Sequence, residues 1–122
     1  WEKVLYISET VGFADLELLP GNPNVVYAAA WKAVRKPWTI ISGGTKKEGG
    51  IYKSVNGGKD WTKLEEGLPK DTIGKIDLAV SSVDSSILYA IIEAPEGEQG
   101  LYKSLKLTLL IPIFFIPMRT PL

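Results

Sequence analysis

Gly49-Gly50-Ile51-Tyr52-Lys53-Ser54-Val55-Asn56-Gly57-Gly58-Lys59-Asp60-Trp61 decides the fold. Ile51 and Lys53 alternate with Tyr52 and Ser54, the period of two expected of a strand. Asn56-Gly57-Gly58 then supplies a side chain that bonds local backbone and two residues free to take positive φ. Asn-Gly between β-prone runs is a strong hairpin signal. Trp61-Thr62-Lys63-Leu64 alternates again on the far side. Ser54 and Asn56 are placed to bond the turn backbone, and Trp61 to cover the turn with an apolar ring.

Outward from this hairpin the sequence repeats itself. Trp1-Glu2-Lys3-Val4 returns as Trp61-Thr62-Lys63-Leu64, 60 positions later. Asp15-Leu16-Glu17-Leu18 returns as Asp77-Leu78-Ala79-Val80, and Asn24-Val25-Val26-Tyr27-Ala28 as Ser86-Ile87-Leu88-Tyr89-Ala90, both 62 positions later. Gly50-Ile51-Tyr52-Lys53-Ser54 returns as Gly100-Leu101-Tyr102-Lys103-Ser104 after 50, so the second copy carries a shorter loop. The first copy, residues 14–64, has strand candidates at Ala14–Leu19, Val25–Trp31, Gly50–Ser54 and Trp61–Leu64. The second, residues 75–104, has them at Lys75–Ser81, Ile87–Glu93 and Leu101–Ser104. Residues 1–7, Trp1 to Ile7, are expected to be the last strand of a preceding unit. Pro20 to Asn24 reads as a turn, and Glu65 to Pro69 as a loop between units. Helical periodicity is poor, so the expected class is all-β with antiparallel strands.

The hairpin resembles the Asp-box of bacterial-neuraminidase-type (BNR) repeats, Ser-x-Asp-x-Gly-x-Thr-Trp, at Ser54, Asn56, Gly58, Asp60 and Trp61. Asn56 stands for Asp and Asp60 for Thr. With Asp15 to Leu18, Asn22 to Ala28, Arg35 to Trp38 and Gly100 to Ser104, residues 1–104 are similar to secreted bacterial BNR-repeat propellers related to the sortilin ectodomain. The resemblance implies a partial β-propeller of about two four-stranded blades. It also implies a structural, non-catalytic role for Ser54, Asn56, Gly58 and Trp61, in a fold-back between the third and fourth strands of a blade. The implied function is a binding or interaction scaffold for a protein or carbohydrate ligand. The chain would be a fragment, its partners the remaining blades of a longer parent that is extracellular or periplasmic. Sialidases and xyloglucan-cleaving hydrolases share the blade motif, so a piece of a glycoside hydrolase is the alternative.

Composition narrows the chemistry. The chain has 122 residues, enough for one small domain, with 14 Lys plus Arg against 14 Asp plus Glu. This balance gives no basic excess for a nucleic-acid partner or an anionic membrane. There is no Cys and no His. Thiol nucleophiles, Ser–His–Asp triads and the usual zinc sites are thereby removed, and no metal or cofactor is expected. No basic segment precedes an apolar core at the start, so no signal peptide is visible. Opening on Trp1, the sequence reads as beginning inside a longer pattern.

The ligand-loop candidates are Trp31, Arg35, Lys36 and Trp38, where aromatic faces flank cations. The competing reading is a long hairpin whose Trp rings pack on a neighbouring unit. Ser42-Gly43-Gly44-Thr45-Lys46-Lys47 has the wrong order for a phosphate loop. Asp15 and Asp77 are the carboxylate pair to weigh for glycoside hydrolysis, but their repeat equivalence argues for a shared structural task such as bonding a backbone amide. The arginine cluster that holds a sialic acid carboxylate is missing, since only Arg35 and Arg119 occur.

The pattern breaks at residues 105–122, an aberrant hydrophobic tail. Where a second glycine turn and Trp are expected stands an apolar run, Leu107 to Met118, with prolines at 112 and 117. It is short of the ~20 residues a membrane span needs, so no span is expected. A closing strand and a frameshifted or mis-annotated end are the other readings, and the abrupt change in composition favours the last. If any strand forms, it is expected within Leu107–Ile111, followed by an exposed apolar end from Pro112.

Overall fold

A computed structural model describes residues 1–45, 47–105 and 114–118. Every regular element among them is a strand. The strands are β1 (Val11–Leu19), β2 (Asn22–Lys36), β3 (Thr39–Ser42), β4 (Gly44–Thr45), β5 (Gly50–Ser54) and β6 (Thr62–Leu64). They continue with β7 (Thr72–Ile73), β8 (Ile76–Val80), β9 (Leu88–Ile92), β10 (Gly100–Leu105) and β11 (Phe114–Pro117). The first sheet runs β1-β2-β5-β6, with β3 paired to the far end of β2. The second runs β8-β9-β10-β11. All the pairings are antiparallel, including a small β4–β7 ladder.

Register sorts the side chains onto faces. Asp15 lies opposite Ala29, and Ala29 opposite Ile51, which lies opposite Leu64. This inner face of sheet one packs on sheet two. The buried cluster joins Tyr27, Ala29, Ile51 and Leu64 to Ile76, Leu78, Leu88, Ala90, Ile92, Tyr102 and Phe115. Leu68 and Ile73, from the connection between the sheets, complete it.

The hairpin that decides the fold is tied by its own side chains. Ser54 Oγ accepts from the amides of Gly58 at 2.8 Å and Asn56 at 3.3 Å. Asn56 Oδ1 accepts from the Asp60 amide at 2.9 Å, and its Nδ2 donates to Asp60 Oδ2 at 2.7 Å. Asp60, where the Asp-box pattern has Thr, thus has a partner in Asn56. Gly57 and Gly58 take φ of 73° and 91°, a region that side chains resist. Trp61 donates its indole N–H to Gly58 O at 3.0 Å and is half-buried rather than fully covered.

The structure departs from several expectations. Trp1 to Ile7 is not a strand. Val4 and Leu5 instead lie beside Phe13, Leu16, Ala28 and Trp61 on the outer face of sheet one. The turn expected over Pro20 to Asn24 shrinks to Pro20-Gly21. Gly21 takes φ of 79°, as the third residue of a type II turn must, and β2 resumes at Asn22. β2 then continues to Lys36 and forms a ribbon with β3 where a loop was expected.

The tail is the largest correction. Leu107–Ile111 lies outside the described residues. Phe114–Pro117 forms the fourth strand of sheet two, and Phe115 is 1% exposed rather than part of an exposed end. Pro117 is tolerated because β11 is an edge strand, where its missing donor breaks no ladder bond. Beyond it, the Met118 amide reaches Leu101 O at 2.7 Å. On the opposite edge of β11, the Phe115 amide donates to Glu66 O at 2.9 Å.

Candidate functional site

The β2–β3 ribbon projects beyond sheet one. Arg35 pairs with Ile40 and Lys36 with Thr39, so Pro37 and Trp38 form its tip. Arg35, Lys36 and Trp38 are exposed, Trp38 at 79%, and Val34, Ile40 and Ile41 are exposed beside them. The tip therefore offers two cations, one indole and a small aliphatic surface, a set suited to binding rather than bond breaking.

Trp31 is not part of that tip. It sits at the base of the ribbon, where its Nε1 donates to Ser42 Oγ at 2.7 Å. Ser42 in turn donates to Glu93 Oε2 at 2.9 Å, and the same oxygen accepts from the Lys75 amide at 3.2 Å. Lys75 Nζ lies 5.9 Å from the Trp31 ring centroid. Trp31 is thus a tie between the sheets, through Ser42 on β3, Glu93 just after β9 and Lys75 just before β8. Lys75 and Glu93 were not singled out by sequence reasoning, and Ser42 was weighed only as part of a phosphate-loop-like stretch. Only their place in a contact between distant elements marks them.

Next to this tie, Lys32 pairs with Glu48, and Glu48 Oε1 also accepts from the Thr45 amide and hydroxyl, both at 3.1 Å. The bond from Lys32, then that from the Thr45 amide, holds the Glu48 carboxyl below its ordinary pKa. The glycine-rich loop is consequently closed on a carboxylate. An anion approaching there would meet the Glu48 carboxylate.

Asp15 and Asp77 occupy different environments. Asp15 Oδ2 accepts from the Leu78 amide across the sheets at 2.6 Å, and Oδ1 from the Leu16 amide at 2.8 Å. Both oxygens are engaged by backbone. Its neighbour Glu17 has its pKa raised, first by desolvation and then by the Asp15 charge. Asp77 is exposed and faces Lys75 Nζ at 3.8 Å. The two groups line different cavities, Asp15 one with Val4, Phe13 and Trp61, Asp77 one with Lys75, Ile91 and Glu93.

Among the described residues, no group of His, Cys, Asp and Glu could hold a metal ion. Among them too, no helix is long and apolar enough to cross a membrane. A cavity of about 270 Å³ lies between β6 and the loop that follows it, lined by Lys63, Glu65, Glu66, Leu68 and Lys70 among others. Its charged lining is mixed, with Lys63 and Lys70 on either side of Glu65 and Glu66. Comparison with known protein families, with curated proteins and with solved structures found no match.

Proposed function

We propose that the chain forms two blades of a BNR-type β-propeller and serves as a non-catalytic binding scaffold, with the β2–β3 ribbon as its contact element. The observation that carries this reading is the correspondence of the two sheets. Each holds a four-stranded antiparallel meander, β1-β2-β5-β6 (to which β3 adds a fifth strand) and β8-β9-β10-β11, and the first three strands of each follow the order of the sequence repeat. They pack face on face, as successive blades do. The Ser54–Trp61 turn connects the third and fourth strands of the first sheet, the position an Asp-box takes in such a blade. The exposed Arg35, Lys36 and Trp38 supply a surface for a protein or carbohydrate ligand.

The engagement of both Asp15 oxygens weighs against a glycoside hydrolase, because a carboxylate bonded to two amides is poorly placed to transfer protons. The test uses the full chain with sialyllactose and with xyloglucan oligosaccharides. Tryptophan fluorescence reads binding and chromatography reads products. Binding that is lost in Trp38→Ala without product release supports the scaffold reading. Product release abolished by Asp15→Asn or Asp77→Asn overturns it in favour of hydrolysis.

A further inference from the structure

The contact between the two sheets is directional, and the chain carries a second, uncovered version of each side. Sheet one offers its inner face, with Asp15 and Ala29, to sheet two. The counterparts 62 positions on, Asp77 and Ile91, lie on the outer face of sheet two. Ala29 is 0% exposed and Ile91 is 60% exposed. In the other direction, sheet two receives sheet one on Leu78 and Val80. Their counterparts are Leu16 and Leu18 on the outer face of sheet one. Leu78 is 6% exposed and Leu16 is 61% exposed. The N-terminal segment shields Ala28 on that face but leaves Leu16 and Leu18 open.

The polar link repeats as well. Inside the chain, Asp15 accepts the Leu78 amide at 2.6 Å. At the ends of the stack, Asp77 has Lys75 at 3.8 Å, and the Leu16 amide turns back on Asp15 of its own strand. An acceptor is thus exposed at one end, beside Ile91 but also near Lys75, Glu93 and Gln99, and at the other stands the amide equivalent to its donor, between Leu16 and Leu18 and the N-terminal segment.

We infer that the chain associates head to tail with a second copy of itself. The outer face of sheet two, through Asp77 and Ile91, seats on the outer face of sheet one of the next copy, through Leu16 and Leu18. Asp77 accepts the Leu16 amide, as Asp15 accepts that of Leu78. The occupant is a second copy because the chain's own interface specifies both complementary surfaces. Such a contact is heterologous, so it builds a ring where the rotation closes and a filament where it does not. About three or four copies would bring together about six to eight sheets, within the range of closed propellers. The inference rests on sheet packing and not on the ligand reading of the ribbon, so carbohydrate binding can fail without touching it.

The experiment uses two capped variants of the full chain. Leu16→Glu blocks one face and Ile91→Glu the other. Both positions are exposed, and unchanged circular dichroism and urea midpoints check that each variant folds. Sedimentation velocity should show the unsubstituted chain associating with rising concentration, each variant alone as a monomer, and their equimolar mixture as a dimer that grows no further. Adding Asp77→Ala to the Leu16→Glu partner should weaken that dimer about tenfold or more, the worth of a hydrogen bond to a charged group. A second readout needs no blocked face. The chain has no cysteine, so a short bismaleimide should join a Leu18→Cys copy to an Ala79→Cys copy in preference to like pairs. A monomeric unsubstituted chain, association that survives in either capped variant, a mixture that stays monomeric, or like-pair cross-linking would each overturn the inference.

Discussion

Phe115→Ala tests the seat of the last strand. Phe115 is 1% exposed and belongs to the core shared by the two sheets. Truncating a buried phenylalanine costs about 3–5 kcal/mol, against a total of about 5–15 kcal/mol for an ordinary domain. With a urea dependence of about 1.5 kcal/mol per molar, the unfolding midpoint should fall by about 2–3 M. The four tryptophans make fluorescence a ready monitor. Ile116→Ala, on the opposite face of the same strand and 37% exposed, is the control and should cost less than about 1 kcal/mol. Gly67→Ala attacks the same seat from the other side. A Cβ at that position would stand 1.9 Å from Phe115 O, and Gly67 has φ of 80°. Something in that contact must move, so the double variant should lose less than the sum of the single losses. A midpoint shift below about 0.5 M for Phe115→Ala, or one equal to that of Ile116→Ala, would refute the packing of β11 on the core.

Three further outcomes are expected. Ser54→Ala should cost about 1–3 kcal/mol by equilibrium unfolding, because the buried Gly58 amide loses its acceptor. Asp15→Ala should destabilise by about 1.5–3 kcal/mol, since it strips a charged acceptor from the Leu78 amide, and hydrogen exchange at that amide should accelerate. Glu48 has a folded pKa below its unfolded value, so its contribution is complete above about pH 4.5 and is lost as pH falls through the lower, folded value. Exchange at the Thr45 amide should rise over that acid range in the unsubstituted chain and stay flat in Glu48→Gln.

What was legible in the sequence was whatever is local. The Ser54–Trp61 turn could be read because its hydrogen bonds join residues within four positions of one another. The strands of the repeat could be read because alternation and duplication pointed to the same segments. The tail could not, because its strand is specified from outside. Residues 112–117 look like an apolar run broken by prolines. What makes Phe114–Pro117 a strand is the open edge of β10 on one side and Glu66 O on the other. Trp31 and Trp38 were grouped for a similar reason. Seven positions apart in sequence, they share a loop on paper. On an extended ribbon, the five steps from Trp31 to Lys36 span about 16 Å, which separates the base from the tip.

Asp15 and Asp77 show why residue identity does not assign chemistry in a repeat. Both occupy equivalent positions of the repeat, on the first strand of their sheets. Asp15 meets the next sheet, so its two oxygens take two amides and its charge is committed to holding that sheet in register. Among the described residues Asp77 meets no further sheet, and it keeps a solvent-exposed carboxylate beside Lys75. A pair of catalytic carboxylates requires one group kept protonated and one kept charged across a shared substrate space. These two differ because one is covered and the other is not. Covering Asp77 with a further sheet would make it a second Asp15, a structural acceptor, and would bring it no closer to acting as an acid or a base. What stands exposed beside them is a projecting cationic and aromatic ribbon, and two sheet faces whose counterparts already bind each other within the chain.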